Sequence, residues 1–190
     1  MHYQVYSISE LKAAKIPVCL SADEMRMQER RGAEFGMIRA LLRLELAKRL
    51  HCAPEEINIS TGHHGKPSCV GIEFNISHSH DCLCMAFHHR PVGVDVEKIR
   101  TRPYERLARH FMADAQLEAF LSRQCPAEEF FACWCAAEAL VKMSGDTIWN
   151  AKQYPFIYRE GDIILSEESD AQIRLFEPSP GYMGAIAFLP

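Results

Sequence analysis

The sequence predicts an α+β protein in which each half of the chain mixes helices with short strands. Two patterns lead there. Short runs with strand character recur at residues 2–7, 72–77, 82–88 and 92–97, the last alternating apolar and acidic side chains. Phe35, Ile38, Leu42, Leu46 and Leu50 repeat at helical spacing, and a second apolar helical stretch follows at residues 130–142. At 190 residues the chain can bury one core or form two tightly joined small lobes.

Each element has a local reason. Residues 2–7 form the first predicted strand. Ser21, with Glu24 three residues on, is a capping box that opens one long helix to about residue 51, and Pro54 ends it. Residues 57–60 read as a short strand and residues 62–67 as a loop shaped by Gly and Pro. Strands at 72–77 and 82–88 flank the polar turn His78-Ser79-His80-Asp81, and the acidic strand 92–97 follows. Helices are expected at 104–111 and 114–122. Pro126 begins a third that stops near Gly145. Strands at 156–158, 163–165, 172–176 and 183–188 close the chain. With no sequence repeat or low-complexity linker, the join is placed near Pro91, dividing the chain into residues 1–90 and 91–190.

Composition, 48% apolar and 24% charged, is that of a globular protein. No apolar stretch is long enough to span a bilayer. The N-terminus lacks a basic segment followed by an apolar one, so a cytoplasmic location is expected. The eight cysteines sit mostly in apolar runs without a C-x-x-C, which predicts reduced, buried thiols. Neighbours on a strand point to opposite faces, so His63-His64 and His88-His89 do not pair on a zinc ion. The formal charge of −4 argues against a nucleic-acid partner. Residues 1–90 carry 11 basic against 10 acidic groups, and residues 91–190 carry 10 against 15. The basic groups of the first half gather in residues 26–49, either a solvated face or a contact for a phosphate or an acidic protein.

The chemistry concentrates in the second half. In Pro91-Val92-Gly93-Val94-Asp95-Val96-Glu97, a strand puts Asp95 and Glu97 on one face and Val94 and Val96 on the other. Like charges that close need a cation between them. Glu138 lies in an apolar helical run with Phe130, Phe131, Trp134, Leu140 and Val141, where a carboxylate needs a partner. Brought together, Asp95, Glu97 and Glu138 make an oxygen donor set suited to Mg²⁺. Two readings of Lys142 stay open: an i,i+4 partner for Glu138, or an anion contact beside a metal. Ser77 and His78 end a strand at an exit where free backbone N–H groups often bind anions. Lys66 sits alone in its loop. No P-loop, G-x-G-x-x-G or G-x-S-x-G occurs.

Taken in order, Gly65-Lys66-Pro67, Phe74-Asn75-Ile76-Ser77-His78-Ser79, Gly93-Val94-Asp95-Val96-Glu97 and Trp134-x-x-x-Glu138-Ala139-x-x-Lys142 resemble the phosphopantetheinyl transferases. The form resembled is the large pseudo-dimeric one, which activates carrier proteins of peptide, polyketide and fatty-acid synthases. The likeness covers residues 39–142. It implies two similar lobes related by a pseudo-two-fold axis, with coenzyme A in the cleft between them, in a protein active as a monomer. It further implies that Asp95, Glu97 and Glu138 hold Mg²⁺ against the pyrophosphate and that Lys142 contacts the phosphates. Lys66, Ser77 and His78 would hold the adenosine 3′-phosphate end. The acceptor would be a serine of an acyl or peptidyl carrier protein, with Glu138 the candidate catalytic residue, taking its proton itself or through a metal-bound water that it orients.

Three positions depart from the family's pattern. Ala137 stands where a lysine usually precedes the helix glutamate. Glu34 stands in place of an arginine, with Arg30 and Arg31 about a turn earlier. Ala115 replaces a glutamate, with Asp114 and Glu118 nearby. A relative that binds coenzyme A or a carrier protein without turnover is the alternative these departures raise.

Overall fold

A computed structural model of the chain describes residues 1–62, 65–124 and 126–190; the pair His63-His64 and Cys125 lie outside the described residues. β1 (His2–Ser7) leads into α1 (Ile8–Ala14), α2 (Ala22–Arg31) and α3 (Ala33–Leu50). A ribbon of β2 (Ile59–Thr61) and β3 (Pro67–Cys69) precedes the hairpin of β4 (Glu73–Ser79) and β5 (Cys82–His88). The second half repeats that order. β6 (Val92–Lys98) is followed by α4 (Tyr104–Phe111), α5 (Asp114–Ser122) and α6 (Ala127–Ser144). The ribbon of β7 (Phe156–Arg159) and β8 (Asp162–Leu165) then precedes β9 (Gln172–Phe176) and β10 (Tyr182–Phe188). Each half builds a three-stranded sheet with its first strand beside its last, in the orders β1-β5-β4 and β6-β10-β9. All pairings are antiparallel. The α+β class read from the sequence is the class found.

Three apolar clusters stack these elements as helix, sheet, sheet and helix. Leu42 and Leu46 of α3 pack on Leu83, Met85 and Phe87 of β5. The other face of β5, Cys82, Cys84 and Ala86, meets Val92, Val94 and Val96 of β6 together with Ile186 and Phe188 of β10. On the outer face of that second sheet, Ala185 and Ala187 lie under α6 and its Phe130, Phe131 and Leu140. The period-two prediction for residues 92–97 is met here: the three valines face the first sheet.

The predicted single helix from Ser21 is two. Its capping box is present, but Gly32 adopts φ +94° and ends α2. A positive φ strains any side-chain-bearing residue. The break lets α2 fold back, so that buried Arg43 bonds Glu24 through Nε at 2.6 Å. In an unbroken helix those two residues would lie about 28 Å apart. Arg43 also donates to the carbonyls of Pro54 and Ile57. Arg49 binds Glu45 and Gln4 and lies over the Phe87 ring. Two arginines of the basic segment 26–49 are thereby turned inward as structural ties.

Two further differences concern short elements. α1 was not expected: Ser7 caps it by accepting from the Glu10 N–H, and Asp81, in the β4–β5 turn, accepts from the Ser9 N–H and from the hydroxyls of Ser7 and Ser9, which ties its start to a distant strand. The turn expected at residues 78–81 tightens to His80 and Asp81, because β4 runs on to Ser79 and His80 takes φ +52°. The helices at 104–111 and 114–122 and the stop at Gly145, with φ +77°, agree with their sequence signals. Seven cysteines are unpaired among the described residues, and Cys82, Cys84, Cys133 and Cys135 are buried.

Candidate active site

The site is built where α6 crosses the face of β6. Gly93 makes the crossing possible: a Cβ there would lie 2.0 Å from the Ala139 carbonyl oxygen and 2.4 Å from the Met143 nitrogen. With no side chain at 93, the backbones of helix and strand touch. Asp95, two residues on along the same face, then comes beneath Glu138 and Lys142. Asp95 is buried, and its Oδ1 accepts from Lys142 Nζ at 2.6 Å and from Ser77 Oγ at 2.8 Å. Glu138 Oε2 lies 3.9 Å from the same ammonium. Glu97, partly buried, accepts from Ser79 Oγ at 2.8 Å.

The electrostatics follow from that crowding. Burial pushes the Glu138 carboxyl up; Lys142 opposes this, and Asp95 and Glu97 add to it. Burial alone would lower Lys142, but Asp95 and Glu138 outweigh it, so its ammonium is held charged. The fully buried Cys135 thiol, which donates to the Met183 carbonyl, is held protonated by burial and by the neighbouring Asp95. Of the two readings of Lys142, the i,i+4 pairing with Glu138 is present, and Asp95 is a second carboxylate partner.

Among the described residues, no three His, Cys, Asp or Glu side chains stand grouped as a ready-made metal cage. The ammonium of Lys142 supplies the positive charge between Asp95 and Glu138. The residues nonetheless fit a hard dication. Asp95 Oδ2 is buried without a hydrogen-bond partner, which is costly unless something positive meets it. Asp95 and Glu138 share one lysine while Glu97 has no ion pair among the described residues, and oxygen donors of that kind suit Mg²⁺.

The remaining predicted residues are placed as follows. Lys66 is half-buried and donates to the carbonyls of Met143, at 3.3 Å, and Val92, at 3.5 Å. Its ammonium therefore caps the C-terminal end of α6, about 10 Å along β6 from Asp95. Burial lowers its pKa, with Glu73 opposing. Ser77 joins the acid cluster directly. His78, one residue on, points to the opposite face of β4 and is exposed. Ala137 is buried in the core of the second half. Glu34 pairs with Lys12 at 2.8 Å on the surface. Asp114, Ala115 and Glu118 are exposed on α5, whose Gln116 bonds Glu129, about 13 Å down α6 from Glu138.

A cavity of about 160 Å³ opens beside the acids, lined by Glu97, Arg102, Leu107, Phe130, Phe131 and Trp134. Arg102 and Leu107 were not expected there. The signal was present only in their following the acidic strand closely.

The family model of the 4′-phosphopantetheinyl transferase superfamily matches residues 91–178, which include Asp95, Glu97, Glu138 and Lys142. The chain is similar to the 4′-phosphopantetheinyl transferase Sfp of Bacillus subtilis, 24% identical over 77% of this chain and 69% of that protein. It is also similar to HetI of Nostoc sp., 31% identical over 73% of this chain and 65% of the relative. To psf-1 of Bacillus pumilus it is 33% identical, over 64% and 51%. The chain thus spans between half and about two thirds of the length of these relatives.

Proposed function

Because the chain belongs to the 4′-phosphopantetheinyl transferase superfamily, we propose that it transfers the phosphopantetheine arm of coenzyme A to a serine of an acyl or peptidyl carrier protein and releases 3′,5′-ADP. The observation that carries this reading is the meeting of Glu138 and Lys142 of α6 with Asp95 of β6 at the contact cleared by Gly93. Residues 1–90 and 91–190, which share one order of elements, are the two pseudo-two-fold lobes of the reading.

Asp95, Glu97 and Glu138 would hold Mg²⁺, which when bound neutralises charge on the pyrophosphate. Transfer of a phosphoryl-linked group is otherwise mainly positioning and charge neutralisation. Lys142 is free to exchange its carboxylate partners for phosphate oxygens, because Ser77 keeps Asp95 in place. Lys66 presents a second cation at the end of α6 for the adenosine 3′-phosphate, whereas Ser77 serves Asp95 and His78 lies on the opposite face of β4. Glu138, the acid that α6 brings to the acids of β6, is the candidate acceptor for the serine proton. The apolar cavity beside Glu97 is placed to shield the reacting end of the arm from water.

The carrier contact of this reading is a set of arginines that follow the acids. Arg100, Arg102 and Arg106 are exposed, and none has an ion pair among the described residues. They follow the acids directly, in a half of the chain that is otherwise acidic, and suit an acidic partner. Changing Arg100 and Arg106, which do not line the cavity, together to Glu should raise the carrier KM several-fold, less so at high salt, with coenzyme A KM unchanged. An unaltered carrier KM removes these residues from the contact.

No helix among the described residues is long and apolar enough to cross a membrane. The reading takes the enzyme as a cytoplasmic monomer with no nucleic-acid partner. Purified protein with coenzyme A, Mg²⁺ and a panel of apo carriers should give carriers heavier by one arm in intact-mass spectra. Coenzyme A binding by calorimetry with no product on any carrier would favour a non-catalytic relative.

A further inference from the structure

β6 is the free edge of its sheet, so alternate N–H groups along it have no ladder partner. Three side chains of β4 meet them. The N–H of Val94 donates to Asn75 Oδ1 at 2.9 Å, that of Val96 to Ser77 Oγ at 3.3 Å, and that of Lys98 to Ser79 Oγ at 3.3 Å. Each serine also touches the acid one residue earlier, Ser77 on Asp95 Oδ1 and Ser79 on Glu97 Oε2, both at 2.8 Å.

A hydroxyl has one proton and two lone pairs. Once Ser79 accepts from the main chain, its proton has two possible destinations: Glu97 at 2.8 Å, or His80 Nδ1 at 3.4 Å. The charged and closer acceptor wins, since charge-assisted bonds are about twice as strong. The hydroxyl therefore reads the position of the β6 backbone and passes it to the carboxylate. Glu97 is the acid that most needs this. Its side chain is longer than that of Asp95, and no cation pairs with it among the described residues.

We propose that Ser79 is a positioning residue for Glu97, holding one carboxylate oxygen so that the other is aimed at the metal, and that Ser77 does the same for Asp95. Mg²⁺ demands near-ideal octahedral geometry, so a carboxylate that swings freely binds it poorly. The inference rests on the reading that these acids hold Mg²⁺.

Ser79→Thr and Ser79→Val test it at nearly constant volume, since they differ by a hydroxyl against a methyl. Mn²⁺ binding to the purified chain is followed by calorimetry, and Mg²⁺ activation and coenzyme A KM by the transfer assay. Ser79→Val should weaken Mn²⁺ binding roughly 10–100-fold and raise the Mg²⁺ needed for half-maximal rate alike. Ser79→Thr should stay near wild type, with both thermal midpoints similar. Should the added methyl disturb folding, Ser79→Ala against wild type gives the same comparison without bulk. Equal Mn²⁺ affinity with and without the hydroxyl overturns the proposal, as does a wild type that binds no Mn²⁺. A wild type that binds Mn²⁺ yet modifies no carrier defeats the transferase reading alone, and the Mn²⁺ comparison still decides the role of Ser79.

Discussion

Glu138→Gln protein is expected to keep its circular dichroism spectrum and to lose carrier modification by about 10²–10³-fold, the cost of removing one electrostatic group aimed at developing charge. The substitution preserves volume in a helix whose neighbours are buried. It leaves Lys142 paired with Asp95 at 2.6 Å, so the cluster does not gain an unpaired cation. What it removes is the one acid that α6 brings to the acids of β6. Intact-mass spectra of the carrier, taken over time at saturating Mg²⁺ and coenzyme A, give the rate. A variant within a few-fold of wild type would remove Glu138 from the chemistry.

Gly93→Ala should do comparable damage without touching an acid. Its new Cβ would meet the Ala139 carbonyl oxygen at 2.0 Å and the Met143 nitrogen at 2.4 Å. Both atoms belong to the backbone of α6, which has no rotamer to change, so the helix must lift from the strand. Overpacking of this severity costs about 3 kcal/mol, and for a domain of this size the thermal midpoint should fall by roughly 6–12 °C. Transfer should drop even at temperatures where the variant is fully folded, because lifting α6 separates Glu138 and Lys142 from Asp95. A midpoint equal to that of wild type would mean that the helix and strand do not touch as described.

The acid cluster shows which parts of the site a one-dimensional reading reaches. Asp95 and Glu97 were legible because a strand's period of two places alternate residues on one face, and Glu138 because a carboxylate in an apolar helix demands a partner. Asn75 and Ser79 carried the same period-two signal along β4. Their role was hidden, since the N–H groups they satisfy belong to a strand of the other sheet, 19 residues away. The inward arginines are a similar case: in sequence they are part of a basic segment, whereas Gly32 turns Arg43 onto Glu24.

Local chemistry along the chain determined most of the element types, the helix stop at Gly145 and the identity of the acids, because caps, turns and side-chain periodicity act over a few residues. Tertiary structure alone decided that one half of the chain repeats the order of the other. It alone decided which cations are turned inward to serve the fold and which stay exposed, and that a missing side chain at Gly93 lets a helix settle against a strand. Those outcomes depend on which surfaces exclude water from one another, and chain neighbours do not specify that.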